Sequence, residues 1–452
     1  MFTTQKLGEK MHKVDIIINS DIIIPVIPTN TVWHDKAIVI NNGLIIDIIE
    51  QSAASNKYIA QEVHNLPGQA IIPGLINAHT HVPMNLFRGL ADDLQLFDWL
   101  QNHIWPAEAE VLCEESSYIG AQLAIAEMLL GGTTCFYDMF FFTESIIKAT
   151  SDAGMRAILG LNIMDISNKW AQSCDECLEK SRKIIEQNYS PLINLALAPQ
   201  GPYTNSDESL IKVRQMADKH NLRIMIHMHE TAREIKESID KFGKRPLKRL
   251  DDIGFLGPDV MAVHMVHIND EDFAITTSNK LNISHCPESN LKLASGFANM
   301  ARLRDAGLNI AIGTDSVASN NDLDMFGEMR QAAFIAKAIT GNPTTFAAHE
   351  TLEMATLGAA KAMGMAEKIG SLEIGKKADI TAIDLNDPQT QPLYSPISQI
   401  IYAANRKQVS HVWVDGKLKV KNHKLIDMDN EKLLKQAAKF IASAAKYRYP
   451  SS

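Results

Sequence analysis

Eight short apolar runs rich in β-formers, separated by stretches of helical periodicity, dominate the middle of this 452-residue chain. They are Ile71 to His81, Thr133 to Met139, Arg156 to Ile163, Ile193 to Pro199, Arg223 to His229, Val260 to Val266, Asn282 to Pro287 and Asn309 to Asp315. Strands that alternate with helices pair in parallel, and eight such units predict a (β/α)₈ TIM-type barrel. An open doubly wound sheet would need a Gly-rich phosphate loop after one of the strands. The sequence has none.

A different texture flanks this region. Val14 to Ile24 is β-branched and apolar, and Ala37 to Ile40 faces Leu44 to Ile48 across Asn41-Asn42-Gly43, a hairpin signal. The same texture returns at Asp379 to Asp384 and at Val409 to Val414, which Asp415-Gly416 joins to Lys417 to Val420, before a helix from about Glu431 to Tyr447. The expected organisation is therefore a barrel over residues 70–365 and a small β-sandwich domain formed by both chain termini, 1–69 and 366–452, the latter with the terminal helix.

A net charge of −9 without a Lys/Arg block argues against a nucleic-acid partner. Asn19, Ser20, Asp21 and Pro25 interrupt the apolar stretch Ile16 to Ile27, so it reads as neither a signal peptide nor a membrane span. Five cysteines make no even disulfide framework and fit a reducing cytoplasm. Cys174-Asp-Glu-Cys177 has the spacing of half a zinc clamp, but without a second pair it reads as two thiols one turn apart on a charged helix. The sequence is compatible with a homo-oligomer and does not specify one.

Of fifteen histidines, His79, His81, His227, His229, His264, His267 and His285 fall at or just past the C-terminal ends of proposed strands. In a barrel that end carries the active site. His12, His34, His64, His103, His220, His349, His411 and His423 show no such clustering and read as ordinary polar residues. His79-Thr80-His81 points two imidazoles to the same side of a strand, where they can share a metal ion. His227-Met-His229-Glu230 offers a third nitrogen and a carboxylate, and alternation alone does not choose between His227 and His229. Asp315 ends the eighth run, where a carboxylate can touch both a metal and its water. His264 and His285 end the sixth and seventh, where one of them can orient that water. A two-metal centre would be bridged by a carbamylated lysine from a central strand end. Neither Arg156 to Ile163 nor Ile193 to Pro199 contains a lysine, so one divalent metal, Zn²⁺, is expected. Such an ion lowers the pKa of its water towards about 7, and a glutamate that is not a ligand can then shuttle protons.

The segments Pro73-Gly-Leu-Ile-Asn-Ala-His-Thr-His81, His227-Met-His-Glu230, Ser284-His-Cys-Pro-Glu-Ser-Asn-Leu-Lys-Leu293 and Gly313-Thr-Asp315 through Asp324 resemble the 5-methylthioadenosine/S-adenosylhomocysteine deaminases of the amidohydrolase superfamily. Gly370 to Asp379 looks like that superfamily's return from the barrel to the β domain. The resemblance runs almost end to end. It implies His79, His81, His227 and Asp315 as metal ligands, Glu230 as proton shuttle and His264 as a catalytic histidine, with His267 and His285 behind them. It further implies that Glu108, within Ile104-Trp-Pro-Ala-Glu108, holds the ribose hydroxyls, since a carboxylate accepts two hydrogen bonds from a vicinal diol. Without the resemblance, Glu108 reads as a solvated helix residue.

One position departs from the pattern. Where the family has Ala-Pro-His ahead of Pro-Tyr, this chain reads Ala198-Pro-Gln200-Gly-Pro-Tyr203. Glutamine donates and accepts but carries no proton or positive charge, so substrate preference is expected to shift while the metal chemistry survives. The resemblance thus implies hydrolytic deamination of a small-molecule nucleoside, 5′-methylthioadenosine or S-adenosylhomocysteine, with contacts from Glu108, Gln200, Glu230 and Asp315. Within the same chemistry the alternatives are adenosine or guanine deamination and triazine chlorohydrolysis. Cyclic amide hydrolysis would release no ammonia. A non-catalytic assembly module would have lost ligands, and the full set is present.

Overall fold

The structure, a computed structural model, describes residues 11–448. Residues 1–10 and 449–452 of the expected terminal β domain lie outside the described residues. Two sheets of eight strands each carry the fold.

The first is the barrel. Its strands Leu75–Thr80, Thr133–Phe140, Arg156–Ile163, Ile193–Pro199, Arg223–Met228, Val260–His264, Asn282–His285 and Ile310–Ile312 follow one another in chain order. Every neighbouring pair is parallel. The ring closes where Thr80 bridges Asp315 and the Asp315 N–H donates to the His79 carbonyl at 2.9 Å. Alternate residues of each strand turn inward, as strand geometry dictates. Ile76, Ala78, Tyr137, Met139, Ala196, Met225, Met261, Val263 and Ala311 fill the interior as a core of their own. Residues on the other face, such as Phe136, Leu159, Leu161, Leu197, Ile224 and Ala262, pack outward in a larger apolar cluster shared with the surrounding helices.

The second sheet is built from both ends of the chain in one mixed ladder, with Tyr58–Pro73 at its centre between His12–Ile23 and Ile380–Asp384. The expected hairpins form. Asn42 and Gly43 both adopt positive φ, 51° and 73°, as a two-residue turn between right-twisted strands requires, and Asp415 and Gly416 do the same at 51° and 74°. The ladder curls until these two turns touch, and its halves enclose Ile18, Ile40, Ile380 and Trp413. This is the β domain expected from the two flanks.

Two details differ from the sequence reading. The single run Ile71 to His81 is divided: Ile71, Ile72 and Pro73 end the central strand of the terminal sheet, and the barrel strand starts at Leu75. The sixteen-residue strand Tyr58–Pro73 was not anticipated. Its outward residues Gln61, Glu62 and Asn65 are polar, and Pro67-Gly68 reads as a turn, whereas in the fold it accompanies a bulge against Ser20 to Ile22. Among the described residues no helix is long and apolar enough to cross a membrane.

A buried ion pair ties the two sheets together. Arg156, at the start of the third barrel strand, donates Nε to Asp379 Oδ2 (2.6 Å) and Nη2 to Oδ1 (2.9 Å). Asp379 also accepts the N–H of Asp415, and both partners are almost fully buried. Removing Asp379 leaves the buried Arg156 with only the longer contact to Asp415 Oδ1 at 3.5 Å, so Asp379→Ala is expected to cost about 3–5 kcal/mol. Arg156→Met combined with Asp379→Leu should cost less than that single change. Chemical denaturation of the three proteins measures the order.

Candidate metal centre and active-site cavity

The barrel mouth gathers the ends of the first, fifth and eighth strands. His79 comes from the first strand, His81 lies one residue beyond it, His227 is the penultimate residue of the fifth, and Asp315 follows the eighth. Gly313 permits this approach, because a Cβ there would sit 2.6 Å from the His79 nitrogen and 2.9 Å from Ser284 Oγ. Asn77 spans the same seam, donating to Thr314 Oγ1 (2.7 Å) and accepting from the Thr314 N–H (3.0 Å).

One ligand atom from each of His79, His81, His227 and Asp315 lies within 4.8 Å of the others, and all four residues are buried. Asp315 Oδ1 is 3.3 Å from His79 Nε2 and 3.2 Å from His81 Nε2, and the Nε2 atoms of His79 and His227 are 3.2 Å apart. His81 Nδ1 donates to the Met139 carbonyl (2.7 Å) and His227 Nδ1 to the Gln200 carbonyl (2.6 Å). Each of these bonds fixes the tautomer and turns a bare Nε2 inward. Burial lowers His79 to about 4 and His227 well below the ordinary imidazole range, which keeps both neutral. Desolvation also acts to lower His81, but the adjoining Asp315 carboxylate outweighs it and raises that imidazole. Burial acts to raise Asp315, yet bonds to His79 and His81 hold it well below the usual carboxylate range, so it is ionised. Ser289 and Ser319 hydroxyls also donate to its Oδ2, at 2.6 and 3.1 Å. Three imidazoles and a carboxylate fit one divalent ion of the zinc type.

The choice between His227 and His229 rests on the backbone. The fifth strand stops at Met228, and His229 adopts φ +53°, which breaks the alternation and turns its ring away. That ring instead bonds the His267 carbonyl through Nδ1 (3.1 Å) and accepts the Leu247 N–H at Nε2 (3.1 Å). Thr231 caps the helix Ala232–Phe242, and Glu234 in its first turn reaches back to accept the N–H groups of His229 and Glu230 at 2.9 and 2.8 Å. Glu230 is thereby held beside the metal set, and desolvation raises its carboxyl.

His264 Nε2 lies 3.9 Å from Glu230 Oε2 and 4.0 Å from Asp315 Oδ2, while its Nδ1 meets Asn290 Oδ1 at 2.9 Å. His264 and Asp315 join His229 at positive φ, 76° and 62°, in a region that non-glycine residues seldom occupy. His267 and His285 lie outside the cavity lining. His267 bonds the Ser295 carbonyl, and burial lowers His285 to about 3.

A cavity of about 290 Å³ opens above the metal set and reaches His81, His227, Glu230, His264 and Asp315. Glu108 lines it from the helix Trp105–Val111, half-buried, with desolvation raising its carboxyl to about 8. The solvated-helix reading of Glu108 does not hold. Gln200 lines the cavity too, its Oε1 accepting from Asn162 Nδ2 (3.1 Å). Sequence reasoning did not single out the apolar wall, to which Trp99, Trp105, Phe140, Phe141, Met164 and Trp170 contribute. Nor did it find the two serines on Asp315, although both lie inside the motifs quoted above. Cys174 and Cys177 are buried on the helix Cys174–Ile185, outside the cavity lining, and all five cysteines are free thiols.

Residues 70–419 match the Amidohydrolase family. Across 94% of its length the chain is 44% identical to the 5-methylthioadenosine/S-adenosylhomocysteine deaminase of Teredinibacter turnerae, covering 97% of that protein. It is 38% identical to the 5'-deoxyadenosine deaminase of Methanosarcina acetivorans over 94% of this chain and 96% of the relative. A solved adenosine deaminase from Xanthomonas campestris with bound zinc superimposes with a TM-score of 0.95 at 42% identity, covering 97% of this chain and all of that one. With a closed barrel, a three-histidine and aspartate set at its mouth and end-to-end likeness of this order, the chain belongs to the amidohydrolase family.

Proposed function

We propose that this protein hydrolytically deaminates 5′-methylthioadenosine and S-adenosylhomocysteine to the corresponding inosine compounds, releasing ammonia. The observation that carries the reading is Glu108. It shares one cavity with the metal set and Glu230, so a carboxylate suited to a ribose diol faces the same space as the groups suited to attack on a purine. The names of the relatives point the same way.

The metal ion assigned to His79, His81, His227 and Asp315 supplies an activated water at neutral pH. Glu230 takes the proton given up by the attacking water and delivers it to the ring nitrogen beside the carbon under attack, then takes the remaining hydroxyl proton and passes it to the departing amine, a relay that desolvation of its carboxyl favours. His264, with its Nδ1–H engaged by Asn290, orients the attacking water through Nε2. Gln200 turns its main-chain carbonyl to His227, and with Asn162 on its Oε1 its amide nitrogen, which also reaches Tyr203, offers an N–H to a substrate acceptor. The net charge of −9 supports a small-molecule substrate over a polyanion, and the free thiols support a cytoplasmic enzyme.

An ammonia-coupled screen of adenosine, methylthioadenosine, adenosylhomocysteine, guanine and cytosine tests the assignment. Activity on adenine nucleosides alone is expected, and silence on all of them defeats it. Glu230→Gln should lower kcat by about 10²- to 10⁴-fold while elemental analysis still finds one metal ion per chain. Asp315→Ala should lose the ion as well.

Glu108 provides the pH test. A carboxyl raised to about 8 is neutral below that pH and ionises as pH rises through it. The ionised form binds the diol, so kcat/KM for nucleosides is expected to climb to a plateau above about pH 8. Glu108→Gln should abolish that limb and lower kcat/KM by about 10- to 100-fold. An unchanged profile in the variant would remove Glu108 from ribose binding.

A further inference from the structure

The two ends of the cavity differ in chemistry, and the outer end bears on which nucleosides fit. Glu230 and His264 sit at the ends of the fifth and sixth strands, and Asp315 follows the eighth, so the reacting ring lies on that side. Glu108 enters from the long excursion after the first strand. Lys169 Nζ donates to the Glu110 carbonyl, which sets the segment after the third strand beside the Glu108 helix, so the 5′ carbon of a ribose held by Glu108 would face the segments that follow the second and third strands. These segments contribute Phe141, Phe142, Met164, Ile166 and Trp170 to the lining. Aromatic faces and a thioether reward apolar and sulfur-bearing groups through dispersion and sulfur–ring contact.

Charge is scarce at this end. Among the described residues, Lys169 is the one lysine or arginine that lines the cavity. It is exposed at the rim, and its Nζ donates to the Glu110 carbonyl at 2.9 Å. Behind the wall, Lys180 lies over the Trp170 ring at 5.4 Å and is committed to Glu176 at 2.9 Å, while Lys292 pairs with Asp92 at 2.7 Å and Arg233 with Glu237 at 2.6 Å. A solvent-exposed ammonium contributes little to holding a carboxylate. Drawing that carboxylate against an aromatic wall forfeits its hydration.

Resting on the deaminase reading above, we propose that the Phe141, Met164 and Trp170 wall makes this site selective for adenine nucleosides with an uncharged 5′ substituent. Methylthio and hydrogen meet that description. The zwitterionic homocysteinyl group of S-adenosylhomocysteine does not, so this nucleoside is the poorer substrate.

The test is kcat/KM of the metal-loaded enzyme, read by ammonia release, for four compounds: methylthioadenosine, 5′-deoxyadenosine, adenosylhomocysteine, and 5′-butylthioadenosine as an uncharged thioether of comparable length. The three neutral nucleosides are expected within about tenfold of one another, with adenosylhomocysteine at least about tenfold below the butylthio compound. Equal or faster turnover of adenosylhomocysteine overturns the proposal and leaves the deaminase reading intact. A butylthio compound as poor as adenosylhomocysteine also overturns it, because length would then be the discriminator. Silence on all four removes the deaminase reading and the proposal together. Calorimetric binding supplies a readout apart from turnover: methylthioinosine should bind more tightly than S-inosylhomocysteine, and the reverse order counts against the proposal.

Discussion

The site depends on the closure of the barrel at the seam between its first and eighth strands. A single backbone hydrogen bond, Asp315 N–H to the His79 carbonyl, joins two ligands that lie 236 positions apart in sequence, counting from 79 to 315. One such bond contributes only about 1 kcal/mol by itself. Its geometry is nevertheless firm, because the whole ring of strands and the apolar layer inside it decide where the seam falls. Gly313 lets the eighth strand press against His79, and Asn77 laces the seam from the side. With the seam open, the four donor atoms would have no common point.

Electrostatics then gives the carboxyl groups of one cavity different tasks. Asp315 touches two imidazoles and two hydroxyls and stays ionised, whereas Glu230 and Glu108, with fewer compensating partners, are raised by desolvation. Environments that push like groups in opposite directions separate a permanent anion from carboxyls that can hold a proton. Burial does the corresponding work for His79 and His227 by keeping both imidazoles neutral, so that each has a bare nitrogen fit for a metal.

Much of this was legible in the sequence because it is written locally. The pair His79 and His81 follows from strand alternation, and the eight apolar runs announce their own number. What escaped depends on contacts or backbone states that local pattern does not encode. Alternation made His227 and His229 equivalent; the family resemblance pointed to His227, and the left-handed turn at His229 is what physically separates them. Local pattern alone made Glu108 a surface residue, and it entered the candidate site only through the family resemblance, because its helix faces a cavity whose other walls come from distant loops. The strand Tyr58–Pro73 was hidden by polar outward residues and by a Pro-Gly pair that forms a bulge. Ser289 and Ser319 reach Asp315 only once the seventh and eighth strand ends are side by side.

Position 200 serves two masters through two different parts of one residue. Its main-chain carbonyl takes the His227 Nδ1–H and so helps aim a metal ligand, while its side chain looks into the cavity. A change of residue type leaves the first of these in place, because every amino acid has that carbonyl. The chain can therefore explore new partners at position 200 without placing its metal at risk. On this view the backbone of Gln200 serves the metal ligand, and its side chain is left to face whatever enters the cavity.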